Sequence, residues 1–229
     1  MINKNIYVVY ATRSWYLTFF VIGGKNMAKE DLRVIKTLDS VDQSLLENLK
    51  KTPFNKITVE ALCEKARINR TTFYKHYRDK YELLDNYLAR VLEEFRIKND
   101  VVFVDADPET INEDKYKLPF RDTVEFIISK KDVYEILWTA QIDRNIFDEM
   151  VQTISESIIK RRIKQHPEIK TDTEKFFKTS LFANLFAYNH LVSVRWWLAN
   201  DYVISKAELY RLFDDMMREG LFKVFKEQL

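Results

Sequence analysis

Between Lys65 and Lys80 the chain sets six cations (Lys65, Arg67, Arg70, Lys75, Arg78 and Lys80) against one acid, Asp79, although its formal net charge is only +2. Asn69, Thr71, Thr72, Tyr74 and His76 stand among them, polar side chains that can donate and accept hydrogen bonds. Phosphate oxygens are held by Lys, Arg, hydroxyls and the amides of helix starts, whereas base edges are read by polar side chains that a helix carries into the major groove. Both sets occur here in one short run. The chemistry on offer is recognition of a nucleic-acid duplex.

Bond-making chemistry has no comparable foothold. With three Gly and one Cys in the chain, a phosphate-cradling Gly loop cannot be built, and there is no nucleophile elbow, His-Glu metal motif or paired catalytic carboxylate. No catalytic residue, metal ligand or cofactor is expected, and a helical enzyme is the most remote reading. Metal ligation by His76 would need partners the sequence does not supply, so a base or phosphate contact is the expectation for that imidazole.

Helices must position these groups. Thr58 stands at a capping position, followed by Ala61, Leu62, Cys63 and Ala66 at helical spacing, which predicts a short helix from Thr58 to Arg67. Thr58 can also donate to phosphate. Ile68 anchors a turn, and Asn69 caps a second helix of nine residues whose inward side chains are Phe73 and Tyr77, four apart. Arg70, Thr71, Thr72, Tyr74, Lys75 and His76 then face outward. Lys80, near the start of the next helix, puts a cation beside backbone amides that favour an anion, an arrangement suited to a phosphate oxygen.

Residues 57 to 84, ITVEALCEKARINRTTFYKHYRDKYELL, resemble the DNA-binding region of the TetR/AcrR family of transcription regulators, above all in Thr72-Phe73-Tyr74-Lys75-His76-Tyr77 and Lys80-Tyr81-Glu82-Leu83-Leu84. The family usually has Gly where this chain has Arg67. A left-handed backbone there costs a residue with a Cβ about 1 kcal/mol, so either Arg67 is strained or the turn closes differently. Arg67 also adds charge beside the groove. The resemblance implies homodimerisation through the last two helices, and repression as the commoner mode of action.

The chain has 229 residues, 46% hydrophobic and 14% aromatic, with four Pro and three Gly. That is ample for a buried core and poor in tight turns, so the expected fold is all-α, with about nine helices. They divide into a three-helix DNA-binding domain with a linking fourth helix over 27–98 and a larger helical effector-binding and dimerisation domain over 99–229. Residues 1–26 form an atypical extension whose apolar run, Trp15 to Ile22, is too short to span a bilayer; Met27 is the expected natural start, with a membrane-touching or partner-binding arm as the alternative. Cys63 reads as a small buried residue.

In the first domain Val41, Leu45, Leu46 and Leu49 share a face, Asp39 or Ser40 can cap that helix, and Pro53 marks its stop. Asp79 caps helix four, which runs to about Lys98. A loop is expected over 99–117, then helices from Pro119 to about Lys130, around Val133 to Trp138, and from about Arg144 to Gln165. Two long helices close the chain, Thr173 to Asn200 and Lys206 to Lys226, with apolar stripes wider than one packing partner needs. Trp138, Gln141, Arg144, Asn184, Tyr188 and His190 are the candidate effector-binding residues, polar or aromatic groups beside apolar surface.

Residues 194–212, VRWWLANDYVISKAELYRL, further resemble the C-terminal region of the DhaS-like branch of the family. That resemblance opens an alternative, an activator, co-activator or adaptor that works through a partner regulator. The leading reading is a cytoplasmic homodimer that binds a double-stranded DNA operator, with no membrane partner, as a repressor controlled by an unidentified small-molecule effector.

Overall fold

The computed structural model describes residues 29–99, 101, 113–216 and 220. The expectations for residues 1–26 and for the chain beyond Met216 lie outside the described residues. Nine α-helices and two 3-10 turns make up the described chain, which contains no strand among those residues. The helices are α1 (Lys29–Leu49), α2 (Val59–Ala66), α3 (Arg70–Tyr74), α4 (Lys80–Lys98), α5 (Glu113–Ser129), α6 (Lys131–Thr139), α7 (Ile146–Gln165), α8 (Thr173–Ala199) and α9 (Lys206–Met216). An all-α fold follows from long runs of good helix formers and few Gly or Pro.

The described residues group into two compact units, one comprising those up to Val91 together with Thr139–Asp143, the other those of Leu92–Trp138 and from Arg144 on. The division falls within α4.

In the first unit Val41, Leu45 and Leu49 of α1 pack with Phe54, Ile57, Leu62 and Phe73 into a small core, each of them buried. Ser44 Oγ donates to the Leu62 carbonyl at 2.8 Å, tying α1 to α2. Nη2 of Arg90 on α4 reaches both carboxylate oxygens of buried Asp42 on α1 at 2.8 and 2.7 Å. α1 starts well before its expected caps: Asp39 and Ser40 lie inside the helix, and Ser40 Oγ donates back to the Lys36 carbonyl. A serine can bond the preceding turn instead of capping, so its presence alone does not fix a helix start.

The second unit is built around α7 and α8, which pack along much of their length. Asn145, Asp172 and Ser205 cap α7, α8 and α9, accepting from Asp148, Lys175 and Glu208 amides at 3.2, 3.0 and 3.1 Å. Helix α5 begins at Glu113 and carries Pro119 inside it, whereas a helix opening at Pro119 was expected. Proline's fixed φ is itself helical, and the cost of an internal position is the lost backbone bond and crowding of the preceding turn. Between α8 and α9 the chain turns through Asp201 and Tyr202, both left-handed at φ 51 and 57.

Candidate nucleic-acid interface

The turn between α2 and α3 is fixed by backbone chemistry. Thr58 is extended and its side chain accepts from the Ala61 amide at 3.1 Å, so the cap read from the sequence is formed. At the other end Arg67 takes φ 55 and ψ 44, and the Ile68 amide donates to the Cys63 carbonyl at 3.0 Å. This is the left-handed closure normally given to glycine, so of the two alternatives for Arg67 the strained one is realised. Arg67→Gly should therefore raise the stability of the folded chain by up to about 0.5 kcal/mol, the freer unfolded state of glycine taking back much of the strain released. A lower thermal midpoint for the variant would rule the strain out.

Asn69 then caps α3, its Oδ1 accepting from the Thr72 amide at 2.7 Å and from the Thr72 hydroxyl at 2.8 Å. The helix proper is five residues long, shorter than the nine expected. The His76 amide turns back to the Phe73 carbonyl at 2.9 Å, which tightens the last turn, and the Tyr77 amide reaches the same carbonyl at 3.0 Å. Phe73 and Tyr77 are both buried, their rings 5.6 Å apart. Their burial turns the other side of the segment outward: Arg67, Asn69, Arg70, Thr71, Tyr74 and Lys75 are exposed, Thr72 and His76 half-buried.

Charge on this face is only loosely held. Arg70 meets Glu60 at 2.9 Å and Lys65 meets Glu47 at 2.7 Å, each pair largely exposed and therefore weak in water. Arg67 and Lys75 form no ion pair among the described residues.

Lys80 departs from its expected role. Its ammonium donates to the carbonyls of Phe54, Asn55 and Ile57 at 3.0, 2.8 and 2.7 Å and lies 5.0 Å from the Phe54 ring centroid. Three donors meet three acceptors, which leaves none for a phosphate oxygen. Lys80 thus clamps the 3-10 turn Phe54–Lys56 to the start of α4, and the expected phosphate contact is corrected to this structural role. The reach spans 23 to 26 residues of sequence, so no local pattern could have announced it.

The α4 start is capped by Asp79, whose Oδ1 accepts from the Tyr81 and Glu82 amides, both at 2.8 Å. Glu82 in turn accepts from the Arg78 amide at 2.6 Å. The recognition segment is thereby pinned at both ends.

The six candidate effector residues are divided between the two units. Gln141 belongs to the first unit, where its backbone carbonyl accepts from the Phe54 amide at 3.0 Å, and its side chain is exposed. The other five lie in the second unit. Trp138 Nε1 donates to Met150 Sδ at 3.4 Å, and Trp138 and Tyr188 both present rings to Phe147, at 6.1 and 5.8 Å. Arg144 forms a two-point pair with Glu149. Asn184 is exposed and donates back to the Ser180 carbonyl at 2.8 Å. His190 is buried among Phe120, Phe186 and Phe213, at 5.0, 5.4 and 5.5 Å between ring centroids. The reason for the scatter is helical geometry: positions 184 and 188 share a face, and 190 lies round the helix from both. Phe147 and Arg195, whose guanidinium sits 3.7 Å from the Phe147 ring centroid, were not singled out from sequence, where each reads as an ordinary helix residue.

The family described as bacterial regulatory proteins, tetR family, is matched by residues 46–87, the segment from the end of α1 into α4. The chain is also 30% identical over 93 residues to the uncharacterized HTH-type transcriptional regulator YxbF of Bacillus subtilis (strain 168). That similarity takes in 39% of this chain and 24% of the length of YxbF. With its capped α2, left-handed turn and outward polar α3, the segment 46–87 has the helix-turn-helix arrangement of the tetR family whose model it matches.

Proposed function

We propose that the chain is a cytoplasmic, non-enzymatic transcription regulator that binds a near-palindromic operator as a homodimer, and that it is a repressor released by a small-molecule effector. The observation that carries the DNA-binding part is the outward face of the recognition segment, with Arg70, Thr71, Tyr74 and Lys75 exposed while Phe73 and Tyr77 are buried beneath them. The polar groups that read bases and hold phosphates stand on the side free to enter a groove, as helix-turn-helix docking requires.

The homodimer reading is supported by α8, whose inward face is buried while Phe177, Leu181, Leu185, Tyr188 and Trp196 are exposed, at 66% for Phe177 and 62% for Leu181. Leu212 and Met216 of α9 are exposed as well. An apolar surface of this extent is unfavourable in water and fits a second copy of the chain. Two copies would address two half-sites. Among the described residues no helix is long and apolar enough to cross a membrane. An effector would act by favouring the dimer conformation whose recognition segments are wrongly spaced, with α4 as the connecting element.

The test is a gel-shift titration of the chain's own promoter region with wild type and the Arg70→Ala/Lys75→Ala double variant. Loss of two phosphate or base contacts should weaken binding about 10–100-fold and lower the salt slope by about 2. Unchanged affinity and slope would remove this face from the interface.

A further inference from the structure

The helix-turn-helix is a loop of chain whose two ends are tied by one ammonium. Ile57 leads into Thr58, the cap of α2, and Asp79 caps α4, so the stretch between them contains α2, the left-handed turn and α3. Lys80 stands directly after that stretch, and the carbonyls of Phe54, Asn55 and Ile57 that it holds stand directly before it. The rings of Phe54 and Tyr81 flank the same ammonium at 5.0 and 5.3 Å and meet each other edge to face at 5.4 Å. A cation in the first turn of a helix is disfavoured by the amide dipoles there, so α4 itself gives no reason for a lysine at its first position. The reason lies in the carbonyls it reaches. A charged donor shared among carbonyls under aromatic cover is a stronger tie than a neutral backbone bond.

We infer that Lys80 is a positioning residue for DNA binding: without touching the duplex, it holds the direction in which α3 is presented to the groove. This rests on the DNA-binding reading above. At five residues α3 is too short to keep its own direction through internal hydrogen bonds, and its anchors, Phe73 and Tyr77, fix only the inward side. What remains to be set is the course of the chain at each end. Lys80 couples the two, because a drift of the α4 start away from the turn Phe54–Lys56 breaks its bonds together. Once released, the loop samples further arrangements, and the one that fits a groove becomes a fraction of the folded population. Affinity falls by that fraction, alike at every salt concentration. A lysine on a phosphate behaves differently, since its removal lowers the salt slope by about 1.

The experiment titrates a duplex of the chain's own promoter region with full-length wild type, Lys80→Met and Lys80→Arg, by gel shift at several salt concentrations and at a temperature where circular dichroism shows each protein folded. Methionine keeps an apolar stem and removes the donors, so Lys80→Met should bind about tenfold more weakly with the salt slope of wild type. Arginine keeps the charge, but its planar fork cannot surround a single point as three carbonyls require, and Lys80→Arg should be weakened as well. Equal affinity of folded Lys80→Met and wild type, a slope lower by about 1, or full recovery in Lys80→Arg overturns the proposal. A second measurement needs no variant to fold: acetylation of wild-type lysines by acetic anhydride, read by mass spectrometry. Half-buried Lys80 should react more slowly than exposed Lys75, and added duplex should slow Lys75 while leaving Lys80 as it was. Shielding of Lys80 by the duplex as strong as that of Lys75 overturns the proposal. A wild-type chain that does not bind the duplex at all sinks the regulator reading and this proposal with it, whereas wild type and Lys80→Met binding equally well sinks the proposal alone.

Discussion

Arg90→Ala should cost the first unit about 3 kcal/mol, the largest loss expected from any single change around the proposed DNA-binding face. Asp42 and Arg90 are the charged link between α1 and α4, and both are mostly out of solvent, with 4% and 18% of the side chains exposed. Truncating Arg90 strands a carboxylate inside the unit. Burial already pushes the Asp42 carboxyl up to about 7, against the opposing pull of Arg90, and nearby Asp39 raises it further. Without Arg90 the carboxyl rises again and takes up a proton, which keeps the loss near the lower end for a broken buried pair.

The sign of the pH dependence follows. A carboxyl whose folded pKa exceeds its unfolded value of 3.8 contributes stability that is complete below that value and is lost as pH rises through the folded pKa. In wild type that window is about pH 4–7, and in Arg90→Ala it extends higher. The deficit of the variant should therefore be larger at pH 8 than at pH 5. Replacing both partners with apolar groups, Asp42→Leu with Arg90→Met, should recover much of the loss, since no charge is then stranded. Urea titrations of wild type and the two variants at both pH values check this. Equal deficits at pH 5 and pH 8 would mean that Arg90 acts through packing over Tyr87, whose ring centroid lies 5.7 Å away, and not through the carboxylate.

What the residues disclosed before the coordinates depended on how local the cause was. Thr58, Asn69 and Asp79 each bond an amide two or three residues on, so their caps could be read from spacing alone. Phe73 and Tyr77 could be placed inward for the same reason. Lys80 could not be read, because its acceptors belong to a turn more than twenty residues earlier. Nor could the Thr139–Asp143 loop be assigned to the first unit, since the carbonyl of Gln141 meets the Phe54 amide through backbone atoms that carry no side-chain signature. Helix α8 posed a different problem. It is apolar almost all round, so periodicity cannot say which of Tyr188 and His190 faces the core. The structure buries the imidazole and exposes the phenol ring, against the usual ranking of polarity.

That buried imidazole sets the second large effect, a loss of stability in acid that His190→Leu should abolish. Neither ring nitrogen of His190 has a hydrogen-bond partner among the described residues, and burial pushes its pKa from 6.5 down to about 3. The folded chain therefore keeps the neutral ring where the unfolded chain would protonate it. Stability from this group is complete above pH 6.5 and is lost at about 1.4 kcal/mol per unit as pH falls toward 3, about 2 kcal/mol by pH 5. Asp42 works in the opposite sense over much of the same range, so the wild-type profile can look nearly flat while two large terms cancel. The informative quantity is the difference between wild type and His190→Leu at each pH. Leucine fills a similar space among Phe120, Phe186 and Phe213 and carries no nitrogen to leave unbonded, so the variant should match or exceed wild type at pH 8 and lead by a further 2 kcal/mol or so at pH 5. Parallel profiles for the two proteins would show that the imidazole finds a proton acceptor or a path to water within the fold, and that the Phe cage does not hold it neutral.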